Sequence, residues 1–150
     1  MRLHGVIRGI VTCSSVGGLM LGSVLLAPPA EAASYDGKYW YDTSCTDGSP
    51  VYTKTIPGTS SGATVQLYYS KKCRTVWVLM EQVAPYTANT DKIKAWVHRN
   101  SDGKEYQISS AWEKSGNSVG RWSKMLNDAD VSSYGAGSYN GGTVVKTPSY

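Results

Sequence analysis

The stretch Leu67-Tyr68-Tyr69-Ser70-Lys71-Lys72-Cys73-Arg74-Thr75-Val76-Trp77-Val78-Leu79-Met80 decides the fold. Val65, Leu67 and Tyr69 alternate with the more polar Gln66 and Ser70, the period of a half-buried strand. After a Ser-Lys-Lys turn, the run from Thr75 to Met80 is apolar on both faces and rich in β-branched and aromatic residues, as a fully buried strand requires. Cys73 opens that strand, and Thr75, Trp77 and Leu79 follow it on one face. A cysteine and a tryptophan sharing a face predict a disulfide beneath an aromatic lid.

Working outward, the turn chemistry sets further strands. Ser49-Pro50 opens a strand over 51–56 that Pro57-Gly58 ends, and the central pair occupies 64–70 and 74–81. Segments 93–99 and 104–109 flank Asn100-Ser101-Asp102-Gly103, a hairpin signal because Gly103 tolerates the positive φ of the turn. A strand over 119–126 follows the turn at Ser115-Gly116-Asn117-Ser118, and 143–146 closes the chain. Gly135, Gly137, Gly141 and Gly142 read as a flexible last connection, and Asn127-Asp128-Ala129-Asp130 as the start of one helical turn. No segment has the period of an amphipathic helix. Short strands at regular turn spacing predict an all-β domain, a small antiparallel sandwich or barrel.

Residues 1–32 have the pattern of a secretory signal peptide. Arg2 and Arg8 precede an apolar core, Pro28-Pro29 breaks it, and Ala30-Glu31-Ala32 gives the small-x-small exit, so cleavage is expected near Ala32. The glycines at 17, 18 and 22 argue against a membrane-spanning helix, and Ile10-Val11-Thr12 before Cys13 is no lipobox. The expected product is one secreted domain, residues 33–150, monomeric and without a membrane span. Cys13 leaves with the leader, so Cys45 and Cys73 remain, most simply as one disulfide in an oxidising compartment.

The motif Leu67-x-Tyr69-Ser70-x-x-Cys73-Arg74-Thr75-x-Trp77, with Asp36-Gly37, Cys45 between Ser44 and Thr46, and Trp122-Ser123-Lys124-Met125, resembles the bacterial, largely actinobacterial, secreted domain-of-unknown-function family 2690. Tyr68 stands where that pattern commonly has arginine, Lys38-Tyr39-Trp40-Tyr41 replaces an Asp-Pro-containing stretch, and Val78 replaces a small residue. The resemblance implies the fold and secretion. It implies no activity.

Chemistry-bearing residues are sparse. His98 is the one histidine beyond the leader, and no nucleophile elbow surrounds any serine. The carboxylates Asp36, Asp42, Asp47, Asp91, Asp102, Asp128 and Asp130 are scattered in turns; Asp128 and Asp130 form only part of a calcium-loop pattern. Neither an enzyme nor a metal or cofactor site is expected. The chain carries a net charge of +4, too small a basic excess for a nucleic-acid face, and Lys71, Lys72 and Arg74 read as a solvated turn or a contact for anionic polymers.

Aromatic residues carry the functional expectation. The chain has 11 tyrosines and 5 tryptophans but no phenylalanine, so some rings must be core: Trp77, Trp122 and Tyr69. Tyr39, Trp40 and Tyr41 lie in a segment too turn-rich to bury all three, and Trp96 lies between Lys94 and His98 on a strand face. Tyr39, Trp40, Tyr41 and Trp96 are therefore the expected ligand contacts, for an extracellular glycan or for a secreted protein met by an inhibitor-like loop near Ser70, Lys71 and Lys72. The competing reading is that these rings only enlarge the core.

Overall fold

The computed structural model describes residues 35–59, 62–83, 92–109, 113–115 and 117–150. The leader reading falls outside them. Strands β1 (Ser49–Thr55), β2 (Thr64–Ser70), β3 (Thr75–Val83), β6 (Glu113–Ser115), β7 (Ser118–Trp122) and β8 (Leu126–Asn127) form one sheet, ordered β1-β2-β3-β7-β6 with β8 on the start of β3. Strands β4 (Ile93–Arg99), β5 (Glu105–Gln107), β9 (Ser133–Tyr139) and β10 (Val145–Lys146) form the other, ordered β10-β9-β4-β5. All pairings are antiparallel.

Alternation explains the packing. Val65 and Leu67 of β2, with Val76, Val78 and Met80 of β3, face Ile93, Ala95 and Val97 of β4, and Ile56 and Leu126 complete this core. The two sheets also meet along one side. Ile108, just past β5, bridges Ser123, and Ser109 donates its backbone N–H to the Trp122 carbonyl at 2.9 Å. The result is a sandwich partly closed along that side.

β3 is buried on both faces, and its outer face explains why. Thr75 and Trp77 point away from the inter-sheet core, yet they are 0% and 1% exposed. They are covered by residues 35–48, which form a second cluster with Cys45, Cys73, Trp77 and Met125 at its centre.

Three expectations change on the structure. The segment read as a flexible glycine connection is β9, paired along its length with β4 from Ile93↔Tyr139 to Arg99↔Ser133. Gly135 and Gly137 serve close approach: a Cβ at Gly135 would lie 2.9 Å from Val78 Cγ1, and one at Gly137 would lie 2.7 Å from Ile56 Cδ1. Leaving out those side chains lets β9 settle onto the first sheet.

The strand expected over 119–126 is divided into β7 and β8. Leu79 pairs with Trp122 and Val76 with Leu126, so three residues oppose two and the chain bulges. At the bulge, Ser123 Oγ accepts the Val78 N–H at 2.9 Å, keeping that buried donor satisfied. Met125 is freed to pair with the N-terminal segment. The expected helical turn is absent: Asn127 ends β8, and Ala129-Asp130 is a turn with Asp130 at φ 59.

Candidate aromatic cleft

The segment 35–48 is laid across the outer face of the first sheet by fixed points at each end. At the start, Gly37 donates to the Met125 carbonyl at 2.9 Å, and Met125 N–H donates to Lys38 at 2.8 Å. The Asp36 carboxylate accepts from Asn127 N–H at 3.0 Å, Lys104 Nζ at 2.8 Å and Arg99 Nη1 at 3.5 Å. Arg99 also holds Asp102 at 2.6 Å, and this guanidinium keeps the Asp102 carboxyl well below the usual carboxylate range. One carboxylate thus ties the segment to the β4–β5 hairpin and to β8.

At the far end, Cys45 and Cys73 form a disulfide with Cα atoms 5.6 Å apart. Asp47 accepts from Ser70 Oγ and from Lys72 N–H, closing the 71–74 turn. Between these points Trp40–Asp42 forms a 3-10 turn. Thr43 Oγ1 donates to the Trp40 carbonyl at 2.8 Å and accepts from Cys45 N–H at 3.2 Å. The turn-rich segment expected around Tyr39, Trp40 and Tyr41 is therefore a short turn anchored at both ends.

This turn sets Trp40 against the sheet. Trp40 and Trp77 are nearly parallel, with centroids 6.3 Å apart and 12° between planes, and Tyr68 stacks on Trp77 at 5.9 Å and 20°. Trp122 stands edge-on to Trp40 at 5.3 Å and to Tyr68 at 5.2 Å. Together with Thr46 and Gly48 these rings line a partly open cleft of about 180 Å³. Gly48 is required by contact, since a Cβ there would lie 2.1 Å from Trp77 Cη2. Burial, then the Glu81 carboxylate, pushes the Tyr68 hydroxyl above its ordinary value, so the ring stays neutral.

The indole N–H groups of Trp40 and Trp77 are buried without a hydrogen-bond partner among the described residues. Each such donor costs about 1–3 kcal/mol. The arrangement is therefore held by ring packing, the disulfide and the Asp36 anchor rather than by polar bonds of the indoles.

The four expected ligand contacts do not form one site. Trp40 lines the cleft. Tyr39 and Tyr41 stack on each other beside it at 5.1 Å and 7°, with Tyr41 47% exposed and edge-on to Trp40. Trp96 lies elsewhere, on the outer face of the second sheet between Ala136 and Gln107. Its neighbour His98 contacts Glu105 at 2.7 Å and stacks on Tyr134. Sequence reasoning did not connect Tyr68 and Trp122 with Trp40. The signal was available for Tyr68, which a hairpin with a four-residue turn places directly opposite Trp77.

The two aspartates of the partial calcium pattern are engaged separately. Asp130 pairs with Arg74 at 2.8 Å, whereas Asp128 accepts from Ser133 Oγ at 2.6 Å. Burial pushes the Asp128 carboxyl up to about 6, against the Ser133 hydrogen bond and the Arg74 and Arg99 charges. An unfolded aspartate releases its proton near the usual value of about 3.9. Between these values the folded chain binds more protons at this site, so this group's contribution to stability is greatest below the unfolded pKa and falls as pH rises toward about 6. Asp128→Asn keeps an acceptor for Ser133 and should remove that slope, raising stability at pH 7 by on the order of 2 kcal/mol. Urea unfolding of both proteins from pH 4 to pH 7 checks it; parallel pH profiles would contradict this account.

No curated protein and no solved structure matches the chain. The model of a family described as proteins of unknown function matches residues 33–136, a span that carries the anchored turn, the disulfide and all four rings of the cleft. The chain therefore belongs to domain-of-unknown-function family 2690.

Proposed function

We propose that this is an exported, non-catalytic binding domain whose aromatic cleft takes a cell-envelope or extracellular glycan. The observation that carries the reading is the cleft itself: four rings meet around about 180 Å³ on a face anchored at both ends. Stacking of sugar faces on aromatic rings uses such a surface, and a prepositioned ring loses little entropy on binding. Export rests on the signal pattern of residues 1–32 and on the disulfide.

One observation favours a second reading, a protein-binding factor such as an inhibitor of an extracellular enzyme. The turn with exposed Lys71 and Lys72 is held rigid by Asp47 and by the disulfide at Cys73, and a rigid projecting loop suits an enzyme groove. Incubating the protein with purified cell wall and with secreted proteases separates the two: retention on the wall supports the cleft, protease inhibition the turn. Trp40→Ala should weaken wall retention roughly tenfold or more, the size of an anchor contact. Retention unchanged by Trp40→Ala would place the contact outside the cleft.

A further inference from the structure

Resting on the glycan reading, we infer that the ligand is an uncharged pyranose chain, with one unit seated in the cleft and its neighbour against Tyr41. The charge preference follows from the lining. Trp40, Thr46, Gly48, Tyr68, Trp77 and Trp122 include no ionised side chain, and the Tyr68 phenol is neutral. A carboxylate or phosphate taken into this space would lose water and meet no countercharge among the described lining residues. The carboxylate nearest in sequence, Asp47, is turned to Ser70 and Lys72, so it is occupied elsewhere. In the surroundings, Lys38 lies over Tyr35 and Lys124 over Tyr39, while Asp42 stands in the 3-10 turn and the Glu81 carboxylate acts on Tyr68. Both signs are present there, and no one-signed field draws in an anionic polymer.

The second subsite follows from the ring geometry. Tyr41 stands edge-on to Trp40 with centroids 5.8 Å apart, a spacing close to the length of one sugar unit. Tyr39 backs it in a near-parallel stack, and 47% of Tyr41 remains exposed. A ring held from behind and open to solvent is a stacking platform, because its rotamer freedom is already restricted. The cleft's volume suits a single unit, so further units have to pass along its rim.

Titration of the full domain by tryptophan fluorescence tests this. The probes are cello- and chito-oligosaccharides of one to four units, set against oligogalacturonides of the same lengths, at low and high salt. The expected result is binding of the uncharged series, insensitive to salt, with a roughly tenfold gain from one unit to two. Tyr41→Ala should abolish that gain, while Tyr41→Phe should retain it. Trp40→Ala should weaken every length. Preferential, salt-sensitive binding of the oligogalacturonides would overturn the inference while leaving glycan binding intact. So would a length gain that survives Tyr41→Ala. Binding of neither series would overturn the glycan reading itself.

Discussion

Trp77→Ala should destabilise the domain by about 3–5 kcal/mol, the range for emptying a large buried aromatic position. Trp77 is 1% exposed near the start of β3, and it stacks against Trp40 of the 3-10 turn and Tyr68 of β2. Its replacement would leave a void running into the existing cleft, and neither neighbour could collapse into it freely. Trp40 is fixed by the 3-10 turn and Tyr68 by its pairing with residue 77 across the hairpin. A domain of this size has only about 5–15 kcal/mol of net stability, so the variant should show a large fall in the urea midpoint. A midpoint within experimental error of the parent would mean that the outer face of β3 contributes no packing.

Replacing Cys45 and Cys73 together by alanine should cost about 2–5 kcal/mol. The sequence separation is 28, for which loop-closure entropy alone predicts about 3–4 kcal/mol. The structure adds a second consequence. The bridge, with the Asp47 contacts, fixes one end of the segment that carries Trp40, and the Asp36 anchor fixes the other. Loss of the bridge should therefore reduce ligand capture more than stability loss at assay temperature explains. Retention on cell wall, measured where the variant remains folded by circular dichroism, separates the two effects. Equal retention by folded variant and parent would show that Asp36 alone holds the cleft.

The central hairpin was legible because two independent signals agree in it. The alternation in 64–70 and the continuous apolar run after Cys73 give the same pair that the register Thr64↔Glu81 to Ser70↔Thr75 shows. The β4 boundaries were equally clear, since Ile93, Ala95 and Val97 alternate with Lys94, Trp96 and His98. What failed was the reading of glycine. Gly135 and Gly137 look like turn residues in a linear scan, yet they are in β9 because Val78 and Ile56 leave no space for a side chain. Only the opposing sheet reveals that.

The site was legible in part for a similar reason. An aromatic segment before Cys45 pointed to Trp40, but its partners come from β2, β3 and β7, far away in sequence. Trp122 was assigned to the core, and it does pack there, while also forming a wall of the cleft. Trp96 has the exposed-strand pattern that made it a candidate, but strand parity places it with Lys94 and His98 on the other sheet's outer face. The face of a ring can be read from local sequence; which sheet that face belongs to depends on the fold.

If the cleft, rather than the Trp96 face, meets the ligand, the tryptophan side chains should report it one by one. Each of the 5 tryptophans gives its own indole N–H signal in a proton–nitrogen correlation spectrum, and those signals can be followed as a neutral oligosaccharide that the cell wall yields is added. The Trp40, Trp77 and Trp122 signals are expected to shift with one saturation curve while Trp96 stays in place. A saturable shift of Trp96 with the three cleft signals unmoved would contradict it.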